Sequence, residues 1–185
     1  MQWPKDTPQA LNAFYGKHAL KTDGQPTAAW LGEHLKLFPA PYPLALSWSP
    51  AEQVKKIRCH KLVGESLVRI FEQILAHYGS YENVQAARVH LYAGCYNFRI
   101  TKDSTRLSTH AWGAGIDIDP EKNPLGKKYD ENAGMMPEPV IDIFEAEGWK
   151  WGGRFIHRPD CMHFQATARK YSFRWERRGD PRSSL

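Results

Sequence analysis

The stretch STHAWGAGIDIDP, Ser108 to Pro120, decides how the chain is read. Its second half alternates Ile116 and Ile118 with Asp117 and Asp119. A two-residue period of this kind is a strand with one face in the core, and it predicts both carboxylates on the opposite face. Gly113, Ala114 and Gly115 precede the strand and are small enough for a sharp turn. His110, seven residues before Asp117, can therefore fold back toward it.

Working outward, Val63, Leu67, Ile70, Phe71, Ile74, Leu75 and Tyr78 recur at three- and four-residue steps. They predict an amphipathic helix over Cys59–Tyr78, with Gly79 as its C-terminal cap. Ala87–Gly94 reads as a strand, and Met136–Trp149 as a second helix with Pro139 in its first turn and Gly148 at its end. Met162–Ala166 reads as a third short strand. Helix, strand, strand, helix, strand without a βαβ rhythm predicts an α+β fold, a small antiparallel sheet flanked by helices. The first fifty or so residues read as irregular, because PAPYPLALSWSP (Pro39–Pro50) carries four prolines. The expectation is a loop-rich N-terminal wrap over residues 1–57, anchored by Trp3, Phe14, Tyr15 and Trp30. A core over 58–168 and a basic tail over 169–185 complete one domain spanning 1–185.

Length and composition agree with that outline. A chain of 185 residues with 42% apolar content buries a core without staples. No eighteen-residue apolar run is present, so no membrane-spanning helix is expected. The opening MQWPKDTPQALNAFYG lacks the basic and apolar segments of a signal peptide, which points to synthesis in the cytoplasm. Cys59, Cys95 and Cys161 form no CxxC pair and read as reduced thiols. The net charge is +5, with six Arg or Lys against two acids in residues 168–185. Such a tail suits a polyanion or simply water, and without a nucleic-acid motif it does not make a nucleic-acid binder.

The chemistry lies in residue types. An imidazole and a carboxylate are two legitimate zinc ligands, and a catalytic zinc takes three protein ligands with one open position. In PDCMHFQ, strand alternation turns Met162 and Phe164 to the core and His163 the other way, which offers the third. Asp160, three residues earlier, is placed to act as a general base rather than a ligand. Arg99 ends GCYNFR and would stabilise negative charge or bind a substrate carboxylate. Each has a plainer alternative. A histidine among aromatics can be a hydrogen-bonded core residue, an aspartate after proline a turn residue, and Arg99 a surface residue.

Taken together, these segments resemble the zinc D-alanyl-D-alanine carboxypeptidase and L-alanyl-D-glutamate peptidase family. That family includes phage endolysins and shares its fold with the hedgehog signalling domain. Its pattern S-x-H-x-x-G-x-A-x-D reads here as Ser108, His110, Gly113, Gly115 in place of alanine, and Asp117. Asp160 and the HF pair His163–Phe164 follow, and EGWKWGG (Glu147–Gly153) is similar to the stretch before the acid in the endolysin-like branch. The resemblance covers about Ala87 to Ala168. It implies one Zn2+ on His110, Asp117 and His163, with Asp160 as base and Arg99 as transition-state stabiliser. Ser108 would support the site or bind substrate. His157 and Trp151 are further site-lining candidates, and Asp119 has no ligand role in the pattern.

The function so implied is a zinc metallopeptidase that cuts an amide in peptidoglycan stem peptides, and a monomer is expected. No nucleic acid is expected as partner. Action on the wall would follow release of the protein, as for an endolysin. The rival is a non-catalytic, hedgehog-like zinc-binding domain.

Overall fold

The computed structural model describes residues 2–101 and 104–168. Helices α1 (Pro8–Tyr15) and α2 (Ala28–His34) lead into a long hairpin of β1 (Leu35–Leu46) and β2 (Ser49–His60). Helices α3 (Gly64–Tyr78) and α4 (Tyr81–Ala86) follow, then the short strand β3 (Leu91–Tyr92). A 3-10 turn over Thr109–Trp112 leads into β4 (Gly115–Asp117). The rest is α5 (Glu138–Ala146), β5 (Lys150–Trp151) and β6 (His163–Gln165), with 3-10 turns at Glu131–Ala133 and Gly152–Arg154.

The architecture is α+β, small sheets flanked by helices, as the alternating patterns predict. One sheet runs β2-β1-β3 and the other β4-β6-β5. The second is antiparallel throughout, whereas β1 and β3 of the first are parallel. A bridge between Tyr92 and Ile118 joins the two sheets.

The N-terminal expectation needs correction. Residues 1–57 are not loop-rich: among those described are two helices and most of a hairpin whose strands have twelve residues each. The prolines are accommodated by a break in register. Pro39 pairs with Lys56 and the next pair is Leu44 with Val54, so Pro41 and Pro43 lie outside the ladder. Strand β1 gains its second neighbour only at Ala45 and Leu46, beyond the prolines. The expected anchors do hold this segment down: Trp3, Tyr15 and Trp30 are buried, and Phe14 packs against the core.

Other boundaries shift for local reasons. Cys59 and His60 finish β2, so α3 begins at Gly64, where an added Cβ would lie 2.0 Å from the Phe38 ring. The helix ends on Gly79 at φ 76°, the left-handed cap that the sequence signalled. Strand β3 is only two residues long, because residues 87–90 form a turn with Arg88 at φ 62°. The basic tail lies outside the described residues.

The core is one cluster shared by both sheets. Leu67, Ile70, Phe71 and Ile74 of α3 meet it from one side. Phe144 of α5 stacks on Phe164 of β6 at 3.9 Å between ring centroids and meets Phe71 edge-on. Ile116 and Ile118 are fully buried, as alternation requires. Phe144→Ala removes the support behind β6, and large-to-small core changes of this type cost about 3–5 kcal/mol. Urea unfolding should show the midpoint falling by that equivalent with an unchanged slope; a loss below about 1 kcal/mol would mean that the stack is not structural.

Candidate metal centre

Strand register puts the centre together. In the antiparallel β4–β6 pair, Asp117 stands directly opposite His163, Ile116 opposite Phe164 and Gly115 opposite Gln165. The isoleucine and phenylalanine face the core, so the aspartate and histidine share the other face. His110 comes from the 3-10 turn, whose first backbone group is capped by Ser108 Oγ accepting from His110 N at 3.4 Å. Gly113, at φ 67°, then reverses the chain.

Gly115 has a second reason to be glycine. A Cβ there would sit 2.8 Å from His163 Cε1 and 2.8 Å from Thr109 Oγ1. The alanine usual at this place in the family pattern would therefore push His163 away in this chain. The departure from the pattern is a packing requirement of the site.

Three donor atoms converge. His163 Nδ1 lies 2.8 Å from Asp117 Oδ1, His110 Nε2 lies 3.1 Å from the same oxygen, and the two ring nitrogens are 3.1 Å apart. The outer nitrogens show which tautomers are held. His110 Nδ1 donates to the Cys95 carbonyl at 2.7 Å, and His163 Nε2 donates to Gln165 Oε1 at 3.1 Å. Each neutral ring therefore turns a lone pair toward the carboxylate. Three electron-rich atoms facing one another are satisfied by a cation or by an added proton. Tetrahedral zinc with bonds near 2.0–2.1 Å sets its ligands about 3.3 Å apart. The observed triangle comes within about half an ångström of that requirement, so the group can hold a metal ion.

The electrostatics carry the same signature. Burial alone would raise the Asp117 carboxyl, but His110 and His163 outweigh it and hold it far below the usual carboxylate range. Burial pushes His163 down, while the hydrogen bond and charge of Asp117 more than reverse this and hold its imidazole above the ordinary value.

Asp160 has different surroundings. Its Oδ1 is buried without a hydrogen-bond partner among the described residues. Burial lifts its carboxyl above the usual range, offset in part by His163, while Asp117 raises it further. Its backbone is fixed from both sides, with Asp160 N donating to Gly152 O at 2.9 Å and His163 N donating to Asp160 O at 3.1 Å. A Cβ on Gly152 would lie 2.5 Å from Asp160 O, so the WGG turn must stay this small to let the acid approach. The charges of His163, Asp117, His110 and Arg99 all act on the Asp160 carboxyl.

The remaining expected residues divide. Arg99 is exposed, with its carbonyl accepting from Ser108 N at 3.0 Å. Ser108 is buried beneath His110 as its cap. His157 is exposed, and Trp151 is buried with Nε1 donating to Cys161 O at 2.9 Å, a role in holding the turn. Asp119 does not continue the alternation beside Asp117. Its φ of 44° turns it away, and its buried carboxylate accepts two 2.7 Å hydrogen bonds from Arg88. It is neither solvated nor part of the donor cluster. Cys59, Cys95 and Cys161 are free thiols, as expected, and all three are buried.

The sequence reading missed the partners that orient the imidazoles. Gln165 was findable: two residues after His163 in a strand, it must share that face. Thr109 Oγ1, 3.3 Å from His163 Nε2, carried no signal in the sequence pattern, and neither did the Cys95 carbonyl.

Residues 101–166, which carry all three donors and Asp160, match the Peptidase_M15_4 family model, D-alanyl-D-alanine carboxypeptidase. The match supports the M15 zinc peptidase family, and it bears out the family resemblance read from the motifs. Neither a curated protein nor a solved structure matches the chain. Peptidases of this family are metal-dependent, and the His-Asp-His group is present here. No helix among the described residues is long and apolar enough to cross a membrane.

The raised Asp160 carboxyl makes a prediction about stability. Folding raises its pKa, so the folded state holds that proton more tightly than the unfolded chain does. The stability it contributes is present below the unfolded-state value and lost as pH rises through the raised folded one. At neutral pH the buried carboxylate is a net cost. Asp160→Asn should therefore raise the melting temperature of the metal-free protein at neutral pH, and the gain should shrink toward about pH 4. Thermal melts at both pH values check this, and no gain at neutral pH would overturn it.

Proposed function

We propose that the protein is a zinc peptidase that hydrolyses an amide in the peptide stem of bacterial peptidoglycan. The observation that carries this reading is the convergence of two imidazole lone pairs on Asp117, inside the segment that matches a carboxypeptidase family. Two nitrogens and a carboxylate oxygen are a zinc-type donor set. The bond would be of the D-Ala-D-Ala or the L-Ala-D-Glu type.

His110, Asp117 and His163 would hold the ion. When bound, zinc supplies Lewis acidity and makes water acidic enough to ionise near neutral pH. Asp160 takes the proton from the attacking water as its oxygen bonds to the scissile carbonyl carbon. It then delivers that proton to the departing nitrogen as the C–N bond breaks. Its unpartnered Oδ1 is an acceptor free for this exchange, and burial raises its basicity above that of an ordinary aspartate. Arg99, whose charge reaches Asp160, would face the negative charge that develops on the carbonyl oxygen. Ser108 supports the site by capping the turn that presents His110.

The rival, a zinc-binding module without catalysis, has no use for a buried acid with a spare oxygen. Asp160→Ala should leave zinc binding intact and slow digestion of purified peptidoglycan by about 10²- to 10⁴-fold. Mass spectrometry of the fragments names the bond cut, and a chelator should abolish the cut in the wild type. Unchanged digestion by Asp160→Ala would refute the base; chelator resistance would refute the metal mechanism.

A further inference from the structure

Gln165 is buried and its amide is fully used. Its Oε1 accepts from His163 Nε2 at 3.1 Å and from Thr109 Oγ1 at 3.4 Å. Its Nε2 donates to Thr167 Oγ1 at 2.7 Å and to Asp6 Oδ2 at 2.9 Å. An amide can satisfy such surroundings in either of two flipped orientations, and the hydroxyls of Thr109 and Thr167 can serve either one as donor or acceptor. Asp6 cannot: a carboxylate only accepts, so it fixes the NH2 end toward itself and the oxygen toward His163.

We propose that Asp6 is a positioning residue for the metal centre, acting through Gln165 to fix the proton of His163 on Nε2 and its lone pair on Nδ1. The inference rests on the zinc reading above. In the flipped state Gln165 would donate to His163 Nε2, the ring proton would move to Nδ1, and it would point into the donor triangle. Asp6 also lies 3.2 Å from Arg106 and 3.6 Å from Lys150. Thr7 caps α1 immediately after it, and Ala168 N donates to Pro4 O at 2.7 Å, so the N-terminal segment is pinned along the end of β6. Asp6 lies outside the segment that matches the family. The N-terminal segment thus contributes to the metal site without touching the ion.

Partners that orient a metal-bound imidazole are worth about 10- to 100-fold in metal affinity. Competition with a chromophoric zinc chelator on the full chain should show Asp6→Ala weakening zinc binding by that factor. Asp6→Asn, nearly isosteric, should lose less, because one orientation of asparagine keeps the acceptor. Arg106→Gln, which removes a neighbour of Asp6 but not the Gln165 contact, should lower thermal stability and leave zinc affinity within about twofold. In the metal-free protein, 15N shifts of His163 at a pH where the ring is neutral should report the Nε2–H tautomer in the wild type. In Asp6→Ala they should report a mixture. Wild-type zinc affinity and tautomer in both Asp6 variants overturn the inference, as does an equal loss in Arg106→Gln. A wild type that binds no zinc overturns the metal reading itself.

Discussion

Three electron-rich atoms held within 3.1 Å of one another are the constraint on which the rest of the molecule depends. Left to relax, two neutral imidazoles and a carboxylate would rotate until each lone pair met a proton. Here the outer nitrogen of each ring is already committed, to the Cys95 carbonyl in one case and to Gln165 in the other. Asp117 is fixed by its backbone, whose N and O bond with Gly94 O and Ala93 N at 3.1 and 2.9 Å. Fixed surroundings convert an unfavourable crowd of acceptors into a preformed group that can hold a cation.

That arrangement needs small residues at defined places. Gly113 supplies the reversal between ligand turn and strand, Gly115 leaves room for the His163 ring, and Gly152 lets Asp160 approach. Each contact is closer than a side chain would permit. The Asp160 Oδ1, buried without a partner among the described residues, and the donor triangle both disfavour the metal-free fold, and the aromatic wall behind β6 opposes them. Function and stability are opposed across one thin sheet, with Phe164 facing Phe144 on one side and its neighbour His163 facing the site on the other.

How much of this is legible in the chain follows from which interactions are local. Alternation placed Asp117 and His163 on their common face, because the strand period is independent of context. Helix α3 and its Gly79 cap were legible for the same reason. The β1–β2 hairpin was not, since four prolines argue against strand pairing, and the register break that takes Pro41 and Pro43 out of the ladder exists only in the paired structure. Asp119 misled because alternation was extended beyond Asp117. Its left-handed backbone and its pairing with Arg88 depend on a residue thirty-one positions away. The donors are therefore readable from spacing, and the groups that orient them are mostly not.

This division has a structural counterpart in the match itself. The residues that would touch the ion and the water all fall within 101–166, while several that hold them fall outside it. Cys95 orients His110, Ala93 and Gly94 hold the Asp117 backbone, and Asp6 holds Gln165. Phe71 of α3 braces Phe144, and Tyr15 donates to the Ala166 carbonyl at 2.6 Å at the end of β6. A segment of that length has too little interior to keep three acceptors crowded without such outside support. The matched segment thus supplies the donor atoms, and the residues outside it brace them. On the peptidase reading proposed above, changes in α1, the hairpin or α3 would act on metal affinity before they act on bond specificity.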